Sequence, residues 1–206
     1  LCGIAVTSGN VNIGTTTGNT IGSTTGNSSL FASATTTSGV ISGIYVTSSN
    51  TVAIQNNTIG AITGTGTTST VNTVIKGIEV AGTGNFTVSN NTIGNGTANN
   101  LRTGYYLTGT SLSNSATTPT STTGSGTITG ILSSATGNTL TISGNTISGF
   151  QASGTISVLN GISTSATTMS GTNPSLSITD NNLGNSTTGL INYMFANSGS
   201  LTACAS

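Results

Sequence analysis

Apolar residues recur along this chain in one local figure: an apolar residue two positions before a glycine, then apolar, variable, apolar after it. The clearest copy is Ile75-Lys76-Gly77-Ile78-Glu79-Val80. The figure returns as Leu1-Cys2-Gly3-Ile4-Ala5-Val6, Ile41-Ser42-Gly43-Ile44-Tyr45-Val46, Ile128-Thr129-Gly130-Ile131 and Leu159-Asn160-Gly161-Ile162. A sixth, decayed copy reads Leu190-Ile191-Asn192-Tyr193-Met194-Phe195. A second figure follows each of the better copies, one outward residue between two inward ones: Val52-Ala53-Ile54, Phe86-Thr87-Val88, Leu140-Thr141-Ile142 and Leu176-Ser177-Ile178. A third begins with Thr-Ile, as at Thr92-Ile93. Alternation with period two predicts short strands, three to a copy.

The figure's glycines stand at 3, 43, 77, 130 and 161, so the spacing runs 40, 34, 53 and 31. The variation is confined to one place. Ile44 to Ile59 and Ile78 to Ile93 are both 15 residues, and Ile131 to Ile147 is 16. Only the Thr/Ser/Gly-rich tract after that isoleucine changes length, as the loops at one corner of a stacked-repeat fold should. An asparagine stands between the second and third strands of every copy: Asn19, Asn57, Asn91, Asn145 and Asn181. Asparagine tolerates positive φ, and its amide can pair with the same amide one layer up and one layer down.

Parallel strands cannot be joined by two-residue hairpins, so three strands turning the same way at each corner form a coil whose layers lie about 4.8 Å apart. One layer buries too little apolar surface to offset the ordering of its own backbone, so each depends on its neighbours. The motifs Gly-Ile-x-Val and Asn-Asn-Thr-Ile-Gly make the whole chain resemble the right-handed parallel β-helix repeats of pectate-lyase-like proteins and of large bacterial surface proteins and adhesins. The resemblance implies an all-β solenoid of five layers plus a partial sixth, residues 1–206 forming a single domain within a longer assembly. Copy one departs from the pattern, since Val11-Asn12-Ile13 lies three residues early relative to Asn19. Copy five departs too, with Leu183 coming 21 residues after Ile162, which places an insertion near residues 168–174.

Composition sharpens the picture. Charged residues are 2% of the chain, against about a quarter in ordinary domains. A mean hydropathy of +0.17 and periodic apolar positions predict a folded chain rather than a disordered one. Thirty glycines, abundant Thr, Ser and Asn, and two prolines favour strands and tight turns. A net charge of zero leaves no basic surface for nucleic acid and no polybasic patch for anionic lipid. No apolar run approaches the length of a membrane span, and no basic-then-apolar signal segment is present. Without like-charge repulsion the molecule should associate, which suits something built to assemble.

Candidate chemistry is sparse. β-Helix lyases and hydrolases use clustered carboxylates, often with Ca²⁺, and a Lys, Arg or His for proton transfer. This chain has no histidine and four scattered charges, Lys76, Glu79, Arg102 and Asp180, so the expectation is no enzyme and no cofactor. Lys76 and Glu79 read as a solvent-facing pair. Arg102 falls in the longest insertion, solvated, with Tyr105 and Tyr106 packing the loop or offering a sugar-contacting surface. A Ca²⁺-binding β-roll needs an aspartate in every turn, and Asp180 is alone. Sequons such as Asn85-Phe86-Thr87 and Asn95-Gly96-Thr97 are expected by chance in such a composition. The column Thr20, Thr58, Thr92, Thr146 raises an ice-binding alternative, but copy five has Asn182 there. The adjacent column Gly22, Gly60, Gly94, Ser148, Gly184 lacks the second row of threonines.

The reading is therefore a structural segment of an extracellular or cell-surface fibre, filament or adhesin stalk that stacks end to end. The alternative is a glycan- or ice-binding module. The expected partners are copies of the chain itself or further repeats, with surface glycans as a third class. Leu1, Ile4 and Val6 at one end and Tyr193, Phe195 and Leu201 at the other are the expected end-layer contacts, with no charge at either end to deter pairing. Tyr193 and Phe195 align with Ile44 and Val46, and Leu201 and Ala203 with Val52 and Ile54. Cys2 and Cys204 should lie about five layers, or roughly 24 Å, apart, too far for a disulfide, which needs Cα atoms within about 7 Å.

Overall fold

A computed structural model describes residues 1–25, 29–34, 38–66, 73–94, 100–105, 126–153, 158–165, 174–184 and 191–194. They form a parallel β-helix: four sheets of five strands each, every strand hydrogen-bonded to its counterpart in each adjacent layer. The first sheet stacks Cys2–Val6, Gly39–Val46, Thr73–Val80, Thr127–Ser133 and Val158–Thr164. The second stacks Val11–Ile13, Thr51–Gln55, Asn85–Ser89, Thr139–Ser143 and Ser175–Thr179, and the third is made of the short Thr-Ile strands from Thr20–Gly22 to Asn182–Leu183.

Register aligns like with like. Ile4, Ile44, Ile78, Ile131 and Ile162 form one inward column, and Ile21, Ile59, Ile93, Ile147 and Leu183 another. Because side chains alternate across a strand, a slip of one residue would expose every one of these columns, so the apolar pattern fixes the pairing. The middle layers are the most completely buried, with Ile44, Ile59, Ile78, Ile93 and Ile131 all 0% exposed.

The glycine of the first figure has a steric cause. In Thr73–Val80 the buried positions run Thr73, Ile75, Gly77, then Ile78 and Val80, so the alternation slips by one at the glycine. The register reflects this, pairing Ser42 with Lys76 and Ile44 with Ile78 while passing over Gly43 and Gly77. A Cβ at Gly77 would stand 2.5 Å from the carbonyl oxygen of Gly130 and 2.6 Å from Cγ2 of Ile93. The strand can therefore cross the third sheet's isoleucine column only where it has no side chain.

Three expectations from the sequence require correction. Each layer has four strands, not three. The fourth sheet, Leu30–Ala34, Ile62–Gly66, Leu101–Tyr105, Phe150–Ser153 and Ile191–Met194, lies in the tract read as loop. In the first four layers its large inward residue, Leu30, Ile62, Leu101 or Phe150, is followed two positions on by Ala32, Gly64, Thr103 or Ala152, small residues that carry little hydrophobic signal. The decayed sixth copy is likewise the fourth strand of layer five. Ile191 pairs with Phe150 and Tyr193 with Ala152, so Tyr193 does not lie over Ile44 and no sixth layer begins there. Phe195, Leu201 and Ala203 lie outside the described residues.

The third correction concerns the corner. The residues with positive φ are Asn56 at 60°, Asn90 at 56° and Asp180 at 57°, together with Gly144 at 65°. Each immediately precedes a column asparagine. The turn therefore divides its work: the first residue takes the left-handed conformation that only Gly, Asn and Asp adopt readily, and the second turns its amide inward. The departure of copy one is absorbed at a corner. Ile13 pairs with Ile54 and Thr20 with Thr58, leaving six residues in the first layer where the second has three. Leu176 pairs with Leu140 despite five extra residues after Ile162, a segment that includes undescribed positions.

Candidate functional site

The five column asparagines form a continuous ladder. The Oδ1 of Asn57 accepts hydrogen bonds from the backbone N–H of Asn19 at 3.0 Å and from its Nδ2 at 2.8 Å. Asn91 accepts the same pair from Asn57, both at 3.0 Å. Asn145 accepts them from Asn91 at 2.9 and 3.0 Å, and Asn181 from Asn145 at 3.0 and 2.9 Å. The remaining Nδ2 hydrogen turns back to the preceding layer, from Asn91 to the Ile54 carbonyl at 2.8 Å and from Asn145 to the Val88 carbonyl at 2.9 Å. Asn57, Asn91 and Asn145 are buried with every polar atom of their amides satisfied. Serine could not replace them, because its single hydroxyl hydrogen cannot make the two bonds of Nδ2 while its oxygen accepts, and glutamine would carry the amide one methylene too far.

The ladder has a direction. Every step runs from donor in the earlier layer to acceptor in the later one, so its two ends differ. Asn19 presents an Oδ1 that accepts nothing, and Asn181 presents a backbone N–H with no acceptor beside an Nδ2 that is bonded only to carbonyls already in the stack, those of Ile142 and Thr179. Around Asn181 the interior of layer five is open. Leu176 is 46% exposed, Ile178 43% and Leu183 49%, although the residues stacked on them, Leu140, Ile142 and Ile147, are 0% exposed. At the other end Leu1 is exposed, while Ile4 and Val6 are partly buried against the core. Asp180, exposed at the corner of layer five, is a charge the sequence reading did not place at an end.

A fourth buried asparagine, outside the ladder, was not singled out from the sequence. Asn100 accepts the backbone N–H of Ala61 at 2.9 Å through Oδ1 and closes the turn between the third and fourth sheets, where Ala61 has φ of 53°. Its only sequence signal is one more Asn in an Asn-rich tract.

The other charged residues, Lys76, Glu79 and Arg102, lie apart from the ladder. Lys76 Nζ and Glu79 Oε1 form an ion pair at 2.6 Å on the outer face of the first sheet, and Ser42 Oγ donates to Glu79 Oε2 at 3.3 Å. Both side chains are largely covered, so the pair is less solvent-facing than its sequence implied. Arg102 is corrected outright. It is 2% exposed, in the fourth sheet between Thr63 and Gln151, and its Nε donates to Thr63 Oγ1 at 3.2 Å. The surface role considered for it does not fit that burial; Tyr105 shares its strand, and Tyr106 lies outside the described residues.

Thr20, Thr58, Thr92, Thr146 and Asn182 do align, but on strands of two or three residues, which makes a strip one residue wide. Among the described residues no group of three or more His, Cys, Asp or Glu comes together, and no helix is long and apolar enough to cross a membrane.

Cys2 is an exposed free thiol in the first layer whose Sγ donates to the Ile4 carbonyl at 3.0 Å; Cys204 lies outside the described residues. Partial burial pushes the Cys2 thiol up, and the nearby N-terminal ammonium pulls it down without reversing the shift. Since the thiolate is the nucleophile, Cys2 in a Cys204→Ser background should alkylate more slowly at pH 8 than a free thiol, and accelerate as pH rises beyond the ordinary thiol range. A rate equal to free cysteine at pH 8 would contradict this.

Comparison of the chain with protein families, with curated proteins and with solved structures finds no match.

Proposed function

We propose that this chain is a structural segment of an extracellular fibre, filament or adhesin stalk, extended by stacking further β-helix layers on its end layers. The observation that carries the reading is the equivalence of the layers. Each hands the next the same two asparagine donors, the same acceptor and the same inward columns, so a layer from elsewhere meets the end of the stack as its own neighbour would. Repeat folds of this kind gain stability with every layer, and a contact that repeats without closing generates a filament. The near absence of charge removes the usual device against edge-to-edge pairing.

Electron microscopy of the purified chain should show fibres or rods with a width of one coil. Compact monomers that stay soluble at high concentration would count against the reading. In that case the glycan- or ice-binding alternative takes its place, and a glycan array and a thermal-hysteresis measurement would tell its two forms apart.

A further inference from the structure

Resting on that fibre reading, we infer the joint itself: layer five of one copy receives layer one of a second copy, head to tail and in register. Asn181 would donate to Asn19 Oδ1 across the junction, and Leu176, Ile178 and Leu183 would be covered by Val11, Ile13 and Ile21.

Two independent features point to a second copy rather than to an unrelated protein. The first is the open ladder. Asn181 offers an unpaired backbone N–H and an Nδ2 bonded only to carbonyls, while Asn19 offers an unpaired acceptor; at Asn91 an Nδ2 with the same two carbonyl contacts also donates to the next asparagine, so the two ends carry the groups that meet at an internal step. A head-to-head or tail-to-tail contact would set donors against donors or acceptor against acceptor, so the ladder selects the polar arrangement. The second is the match of columns. Val11, Val52, Phe86, Leu140 and Leu176 share one column, and Ile13, Ile54, Val88, Ile142 and Ile178 the next. Leu176 and Ile178, exposed in the single chain, would meet the same kind of side chain that lies beneath them. Asp180 would come over Gly18, which has no side chain to oppose it, since Gly18 and Asp180 hold equivalent places before their column asparagines.

The joint makes a geometric demand that no other contact shares. Asn12 and Ser177 belong to one outward column, as do Ala5 and Ser163. Within a chain the members of each pair are four layers, or about 19 Å, apart. Across the joint they would be neighbours at about 4.8 Å, inside the window of roughly 4.4–6.8 Å between Cα atoms that a disulfide requires. The test uses the full chain with Cys2→Ser and Cys204→Ser, carrying either Asn12→Cys with Ser177→Cys or Ala5→Cys with Ser163→Cys.

All four positions face outward, and far-ultraviolet circular dichroism checks that strand content is kept. After mild oxidation both double variants should run on a non-reducing gel as a series of multimers in steps of 20.0 kDa, collapsing to one band on reduction. The matching single-cysteine variants should go no further than dimers. Fibres that form without cross-links at either pair overturn this joint while leaving the fibre reading in place. Absence of both fibres and multimers overturns the two together.

Discussion

Gly77→Ala should destabilise the coil by about 3 kcal/mol or more, the upper range of overpacking costs, although it adds one methyl group to a buried strand. The methyl would stand 2.5 Å from the Gly130 carbonyl oxygen and 2.6 Å from Ile93 Cγ2. The first is backbone held in the sheet by the register of layer four, and the second belongs to a β-branched side chain at 0% exposure. Neither can yield without moving a whole layer. Gly39→Ala is the matched control. It also lies in a first-sheet strand, but its Cβ would meet only the Ala34 Cβ, at 3.8 Å, and should change stability by less than about 0.5 kcal/mol. The measurement is the urea midpoint at unchanged slope. Equal midpoints for the two variants would show that the glycine column is not there to let the strand pass.

That contrast also marks where sequence reasoning was strong. Ile44, Ile78 and Ile131 were legible as an inward column because large apolar side chains at period two leave one self-consistent register. The slip at Gly77 was legible too, as apolar residues at unequal distances on its two sides. The fourth sheet was not, because its inward positions after Ile62 and Leu101 are Gly64 and Thr103. Those residues pack by being small, and hydropathy does not register smallness. The same gap turned Ile191–Met194 into an apparent new layer, since Ile191 and Tyr193 show the alternation of any strand and only hydrogen bonding to Phe150–Ser153 assigns their sheet.

The ladder was partly legible. Asn19, Asn57, Asn91, Asn145 and Asn181 stood out by position, and the structure places them in one axial column. The residue that makes the turn was assigned to the wrong member of the pair. Asn-Asn at 56–57 and 90–91 contains two candidates for positive φ, and the composition cannot tell them apart. Gly144 resolves the matter, because a glycine before Asn145 marks the place where φ is positive and where a Cβ would come within 2.5 Å of Asn90 Oδ1. Arg102 was misplaced for a different reason: an isolated charge in a polar tract reads as solvated, and nothing in its neighbours signals the 2% exposure found.

The ladder's chemistry gives the largest expected effect of a change that keeps side-chain shape. Asn91→Ala should cost about 1–3 kcal/mol for the groups it leaves unsatisfied, chiefly the backbone N–H and Nδ2 of Asn57. Asn91→Asp should cost more, about 3–5 kcal/mol at neutral pH, the range for an uncompensated buried charge. Its first oxygen could still accept from Asn57, but the second would replace an Nδ2 that donates to Asn145 Oδ1, Ile54 O and Ser89 O, setting a carboxylate against three oxygens. Burial and those oxygens would raise its folded-state pKa above the unfolded value of about 3.9. Below that value both states are protonated and the ionisation penalty vanishes. As pH rises through the gap between the two pKa values the penalty grows by about 1.4 kcal/mol per unit, and above the folded-state pKa it is constant. The variant should therefore recover toward the alanine variant on acidification. The wild-type background should stay nearly flat, because the chain has only two Asp and Glu residues in all. Urea midpoints between pH 3 and pH 8 for wild type, Asn91→Ala and Asn91→Asp decide it, and an aspartate variant whose deficit does not change with pH would remove the buried, oxygen-lined position assigned to this amide.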